Sequence, residues 1–456
     1  MGGKHWRRAA VVTACVVLAG TASQSVASAQ TYIDARRMAM GGLFMKWDDI
    51  SRYNVAYRAV PQTGDEARTT IPIPIGLLQL ASDAPELDPQ DSTFNAFEIL
   101  DLILNPPLYL ELREATIPES DVEVTLGKNF LQIDLGAAQD YIPDDGFSMG
   151  SSSRPLDFGG GVAGFRFGVS GFVQNELDVG LSDNLRAFLK EAAPAETNTR
   201  YFITGDGVAQ TGFAIGGSYS RRALSLEALG FGAGRGPEDG VYVGGGLRYY
   251  FGAAFATVGA ETGFTTGDSI FGSADTLQTD LTADIIRSDV NGLGDTGRGV
   301  GMDLGVAFVS GPLTVGFGIN DLFATLTWNN TIAERHTLDA DSNRIVTRTI
   351  ASGAETKTEL PVSYLLSGSL KIGWTEVGAD ILHTSGGVSV HVGAEQWFGP
   401  LAARGGLARD NRGKIQFGLG GGVRVGAVSL DVGLMTHSQS FSGERGVRLG
   451  TSVSIY

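Results

Sequence analysis

Residues 388–395 read Val-Ser-Val-His-Val-Gly-Ala-Glu. Val388, Val390, Val392 and Ala394 fall on one face, and Ser389, His391, Gly393 and Glu395 on the other. A period of two marks a strand with one apolar face. The zigzag recurs from Val362 to Ile455. Val362, Tyr364, Leu366, Leu370 and Ile372 alternate with Ser363, Ser367, Ser369 and Lys371, and Ile415, Phe417, Leu419 and Val423 with Gln416, Gly418, Gly420 and Arg424. Upstream, further apolar rows run through Ala163–Val169, Phe213–Tyr219, Val241–Phe251, Met302–Phe308 and Leu313–Ile319. Segments of roughly 8 to 12 residues suit a tilted strand crossing a bilayer, which needs ~9–11.

Residues 1–29 have the form of a secretory signal peptide. Lys4, Arg7 and Arg8 supply the positive start, Ala9–Leu18 the apolar centre, and Ala27-Ser28-Ala29 a cleavage site before Gln30. The apolar run is shorter than the ~20 residues of a spanning helix. Cys15, the one cysteine of the chain, lies inside this leader. The exported chain would hold no disulfide and no thiol nucleophile or ligand.

The formal net charge of -16 becomes -19 once the three leader cations are removed, which argues against nucleic-acid binding. Charged residues make up only 18% and glycines number 65, yet after the leader no stretch approaches ~18 consecutive apolar residues. Dispersed apolar content without a helical span is what lipid-facing strands produce. A soluble β-sandwich has similar composition, so the strand pattern and the leader carry the reading.

Residues 30–155 are set apart as an N-terminal plug or cap with the first strands, and 156–456 as the barrel. A Pro-rich stretch holding Pro72, Pro74, Pro85 and Pro89 precedes a helix expected over Phe94–Leu104, stopped by Pro106-Pro107. This region could fill the lumen or form an ordinary cap. A second helix is expected at Ser182–Ala192 in a long loop. Gly311-Pro312 and Gly373-Trp374 read as tight turns, and 183–200, 262–280 and 329–345 as long polar loops. Short turns at one end and long loops at the other are the asymmetry of a membrane barrel. The fold expected is all-β: a transmembrane antiparallel barrel of about 14 strands, within 12 to 16.

The stretch Ala35-Arg36-Arg37-Met38-Ala39-Met40-Gly41-Gly42, followed by Trp47-Asp48-Asp49 and Asn54-Val55-Ala56, resembles the mature N-terminus of the long-chain fatty acid transporter superfamily, nearest its TraF-like and PorV-like branches. Val390–Trp397, Arg404–Leu407 and Gly418–Gly422 are similar to the end of those barrels. The likeness spans about 30 residues in front and 95 behind. Val55 stands where the motif has proline, and the segment between Gly42 and Asn54 is short. The resemblance implies a monomeric 14-stranded outer-membrane barrel with its N-terminal segment folded into the lumen, and Met38, Met40, Gly41, Gly42 and Asn54 as its plug motif. Some relatives import hydrophobic compounds and others serve conjugation or secretion. Arg448, Gly450, Val453 and Ile455 match the C-terminal spacing read by barrel-assembly machinery, with Tyr456 one residue beyond.

No motif demands catalysis. Gly146-Phe147-Ser148-Met149-Gly150 has nucleophile-elbow spacing, but its surroundings read as a loop. Asp339-x-Asp341-x-Asn343 lacks the later glycine and glutamate of a calcium loop and reads as an acidic loop. The histidines lack metal spacing. The polar faces of the zigzags carry Arg166, Arg248, Asp303, Lys371, Glu376, Asp380, His391, Glu395, Arg404, Arg424 and Asp431. In a barrel these line the lumen, either as a paired brace or as a ligand route. The expectation is therefore a non-enzyme without cofactor or metal. Its expected partners are the lipid bilayer, the assembly machinery and, on the transport reading, a hydrophobic small molecule. The rival is a non-transporting accessory or scaffold barrel.

Overall fold

The structure is a computed structural model. It describes residues 34–45, 49–61, 69–73, 75, 109–113, 123–127, 129–136, 139, 147–153, 157–227, 236, 238–270, 277–289, 295–339, 344–384, 387–410, 413–438 and 445–456. The leader and the helix expected at 94–104 lie outside them, as do residues 340–343 of the acidic loop.

Alternation produces antiparallel ladders. β1 (Thr69–Ile73) and β2 (Tyr109–Arg113) lie end to end against the last strand, β20 (Arg445–Ile455). β3 (Glu123–Gly127) and β4 (Phe130–Asp134) form a separate hairpin. β5 (Phe147–Ser153) and β6 (Asp157–Val162) lie end to end against β7 (Phe165–Leu181). Next come β8 (Arg200–Ser225) and β9 (Gly240–Thr266). β10 (Leu277–Ser288) and β11 (Gly297–Ser310) share one place between β9 and β12 (Leu313–Asp339). β13 (Arg344–Glu359) and β14 (Ser363–Ile372) share the next. β15 (Thr375–Thr384), β16 (Gly387–Phe398), β17 (Leu401–Arg409), β18 (Ile415–Val425) and β19 (Val428–Ser438) come singly after it and return to β20. Among the described residues, eighteen strands in one sheet, with four such end-to-end pairs, occupy 14 places around the wall, and the sheet closes as a barrel.

The burial is inverted relative to a soluble protein. Val390, Val392, Phe417, Leu419, Leu430 and Leu434 are exposed, while His391, Glu395, Arg404, Asp431 and Ser452 are buried. Apolar side chains outward and charges inward are stable only where the outer solvent is hydrocarbon. Aromatic pairs mark the rims of this band: Phe165 with Tyr219 at the turn end, and Phe213 with Phe251 and Tyr364 with His383 towards the loop end.

Expected and observed strand lengths differ. β15–β20 are 9 to 12 residues long, as anticipated, but β8 has 26 residues and β9 and β12 have 27. At ~3.3 Å per residue, 27 residues run roughly 90 Å along the strand. Residues 329–339, read as loop from their polarity, continue β12, and 262–266 and 277–280 belong to β9 and β10. Ladder hydrogen bonding needs no apolar face once the wall has left the bilayer. Residues 147–150 of the elbow-like motif likewise lie in strand β5 rather than in a loop, and β6, not a helix, comes after it.

Irregularities gather where the tall strands leave the band. The β8–β9 register shifts at Thr211/Gly212 and the β11–β12 register at Val300/Met302 and Met302/Leu304, while a further β8–β9 shift, at Arg222/Leu224, lies at the turn end. Asp321 and Phe323 on β12 take left-handed φ values of 60° and 59°, opposite the break between β13 and β14. Each bulge moves the next side chains to the other face.

Above this line part of the outer face acquires a second layer. α2 (Asp183–Lys190), capped by the Ser182 hydroxyl accepting from Leu185 N at 3.3 Å, realises the helix expected there. Leu185 and Phe188 pack with Tyr201 and Ile270, against which Leu131 and Ile133 of β4 also pack. Covering an apolar face with protein is what water, not lipid, requires.

Candidate functional site: a plugged lumen

The N-terminal segment is seated inside the barrel. α1 (Ala35–Ala39) starts at Asp34, whose carboxylate accepts from Arg37 N at 2.7 Å. It touches β17, β18, β19 and β20, while the 3-10 turn Val55–Ala59 touches β8, β9 and β11 on the other side of the lumen. The segment therefore crosses the interior. Its backbone approaches the wall so closely that a Cβ at Gly406 or Gly433 would collide with the main chain at Met40 or Ala35. Glycine in these strands answers close backbone approach. At the far end, Asn54 Nδ2 donates to the Val306 carbonyl at 2.9 Å and its Oδ1 accepts from Ala56 N at 3.1 Å.

Charge pins the near end. Arg36 is 1% exposed and binds Glu395 through two bonds of 2.7 and 2.9 Å. Glu395 also accepts from Arg404 Nε at 2.6 Å and Trp397 Nε1 at 2.9 Å, and Arg404 reaches Asp431 at 2.7 Å. Two guanidiniums thus face two carboxylates, a balance that makes buried charge tolerable. Nearby, Asp380 accepts from Phe44 N at 2.7 Å and lies 2.5 Å from His391 Nδ1. Arg37 stacks 3.6 Å from the Phe44 ring centroid and donates to the Gly42 carbonyl at 3.0 Å.

Of the residues singled out from sequence, the structure brings together Glu395, Arg404 and Asp431, and separately Asp380 and His391. Arg248 pairs with Asp303 at 2.6 Å, and Asp303 accepts from Asp321 N at 3.2 Å. Asp321 in turn accepts from the Tyr250 hydroxyl. Glu376 lies between Lys371 and Glu395 in register. Arg166, opposite Ser218, and Arg424, 3.9 Å from the Tyr456 ring, belong to neither cluster. Met38 packs with Ala408 and Met435, and Met40 with Leu43 and Met45. Gly41 and Gly42 take φ values of 71° and 89°. The sequence reading missed Arg36 and Phe44 as partners of the wall, and Arg37 as a brace within the plug. Arg36 stands in the quoted motif, but nothing local links it to a residue 359 positions away.

Beyond the plug, Phe172, Tyr250, Phe255, Leu326, Trp328 and Leu360 form an inward-facing apolar cluster. Phe255 and Trp328 have ring centroids 4.6 Å apart. Further up, the inner face turns charged and exposed. Arg200 binds Glu261 and Asp280 at 2.5 and 2.6 Å, and Arg335 grips Asp284 with two bonds of 2.7 Å. The lumen is thus ordered as a charged vestibule, an apolar layer and a buried plug. Among the described residues no group of three or more His, Cys, Asp or Glu is placed to hold a metal ion.

No protein-family model and no curated protein matches the sequence. Solved structures with similar coordinates include the toluene transporter TbuX of Ralstonia pickettii, at 12% identity over 65% of this chain and 79% of that one, with a TM-score of 0.31. The toluene transporter TodX of Pseudomonas putida has 12% identity over 74% and 89%, with a TM-score of 0.32. A triply substituted porin of Rhodopseudomonas blastica has 11% identity over 63% and 100%, with a TM-score of 0.20. The architecture of this chain rests on its own ladders.

Proposed function

We propose that this protein resides in a bacterial outer membrane and lets small hydrophobic, fatty-acid-like compounds pass down their concentration gradient. The observation that carries this reading is the apolar layer of Phe172, Tyr250, Phe255, Leu326 and Trp328, facing inward above the plug. A channel for polar solutes gains from a wet, polar interior, whereas this layer offers aromatic and aliphatic contacts. The secretory leader and the resemblance of the N-terminal motif support the same placement. No covalent step is required, and the buried charges serve to hold the plug. Insertion would use the C-terminal strand through barrel-assembly machinery, and the protein would act as a monomer.

The test is uptake of a labelled long-chain fatty acid by liposomes containing the purified chain. Faster uptake than by protein-free liposomes is expected, and equal rates would overturn the transport reading. A second reading, a scaffold barrel that carries no solute, is favoured by the tight ion-pair seating of Arg36. Equal uptake together with reproducible co-purification of an envelope protein would establish it.

A further inference from the structure

We infer that the lumen is shut twice, and that the second closure is a clasp across the barrel above the plug. β8 and β13 are not neighbours, because β9, the β10/β11 place and β12 stand between them. Yet Thr358 Oγ1 of β13 donates to Gln210 Oε1 of β8 at 2.7 Å. Gln210 Nε2 donates to the Glu359 carbonyl at 2.9 Å and to Gln174 Oε1 at 2.5 Å. Trp328 Nε1 completes the line by donating to Thr358 Oγ1 at 2.9 Å. A side-chain bond between wall places four apart is a chord across the interior.

All four side chains are buried, and Trp328 has no exposed surface. The ring of Trp328 presses so closely on Gly252 and Gly297 that no Cβ would fit at either. The surrounding apolar cluster contains no residue of 34–60, so the clasp stands without the plug. The two closures differ in chemistry. The plug is held by buried charge, whose separation is costly. The clasp is held by neutral hydrogen bonds and apolar contacts. An entering hydrophobic solute can replace the apolar contacts, and parting neutral amide and hydroxyl groups costs less than parting buried charges. The clasp is therefore the element that opens to solute, and the plug restricts passage below it. The double closure does not depend on what is carried, whereas its opening to solute rests on the transport reading above.

The test is ion conductance of the purified chain in planar bilayers, a readout indifferent to cargo. Three variants are compared: deletion of 34–60, the triple change Gln210→Ala, Thr358→Ala and Trp328→Ala, and the two combined. The combined variant is expected to conduct roughly tenfold or more above either alone. The proposal is overturned if deletion of the plug conducts as well as the combination, or if the combination stays shut. Should a deleted chain fail to show the heat-modifiable gel shift of a folded barrel, a second measurement decides. With Cys15→Ser, the pair Gln210→Cys and Thr358→Cys is treated in the full chain in membranes with a short bis-methanethiosulfonate linker, because the glutamine side chain sets the two backbones further apart than a direct disulfide spans. Cross-linking in most molecules is expected, and its absence would remove the chord.

Discussion

The two flanks of this barrel are built from the same zigzag and end differently. From β15 to β20 every strand stops after 9 to 12 residues, the span of a bilayer. From β8 to β12 three strands run to 26 or 27 residues and carry the wall well beyond it. The short flank holds the charged anchor of the plug, since Glu395, Arg404 and Asp431 all lie there. The tall flank holds the apolar clasp and the charged vestibule. Outward polarity thus tracks the solvent that each part of the wall meets. A single apolar layer suffices in lipid, and above it α2 and the β3–β4 hairpin cover the outer face.

The largest effect is expected at the anchor. Arg36→Ala leaves Glu395 buried beside one guanidinium instead of two, and breaking a buried pair typically costs about 3–5 kcal/mol. Urea unfolding in detergent micelles reads the loss. An unchanged midpoint would mean that the short flank does not hold the plug. Next comes a direct contrast of the flanks. Leu434→Arg faces lipid on β19 and is expected to cost about 2–4 kcal/mol. Ile203→Arg, on the outer face of the tall wall, is expected to cost no more than about 1 kcal/mol at the membrane edge or beyond. Equal losses would erase the distinction drawn between the flanks.

The smallest effect concerns pH. Asp284 lies in the tall wall outside the membrane band, and hydrogen bonds from Arg335 hold its carboxyl below the usual carboxylate range. A depressed folded-state pKa contributes stability above the unfolded value of ~3.9, and that contribution disappears as pH falls further. Acid should therefore loosen the vestibule before the short flank, read as faster amide exchange on β10 than on β18. The pair is exposed, so the change is small. Simultaneous loosening of both strands would contradict it.

Much of the short flank was legible because period two survives unbroken there, as in Val388–Glu395 and Ile415–Val425. The tall flank was hidden by phase slips. On β9, Phe251 lies on the outer face with Tyr249, yet Phe255 points inward because the register shifts between them. Two-residue counting across that point assigns Phe255 to lipid. Polarity misled in the same way at 329–339, where the wall no longer needs an apolar side. The lumen-facing charges could be picked out as the odd members of apolar rows. Their partner Arg36 could not, because the pair with Glu395 spans 359 positions and is set only by the fold.

The central claim is that hydrocarbon bathes the short flank and the lower tall strands, while water bathes the upper tall wall. Single cysteines in place of Leu419, Leu434, Ile203 and Ile345, in a Cys15→Ser chain in intact membranes, test it with a water-soluble maleimide. Protection at 419 and 434 with labelling at 203 and 345 is the result expected. Rapid labelling at all four positions would contradict the account.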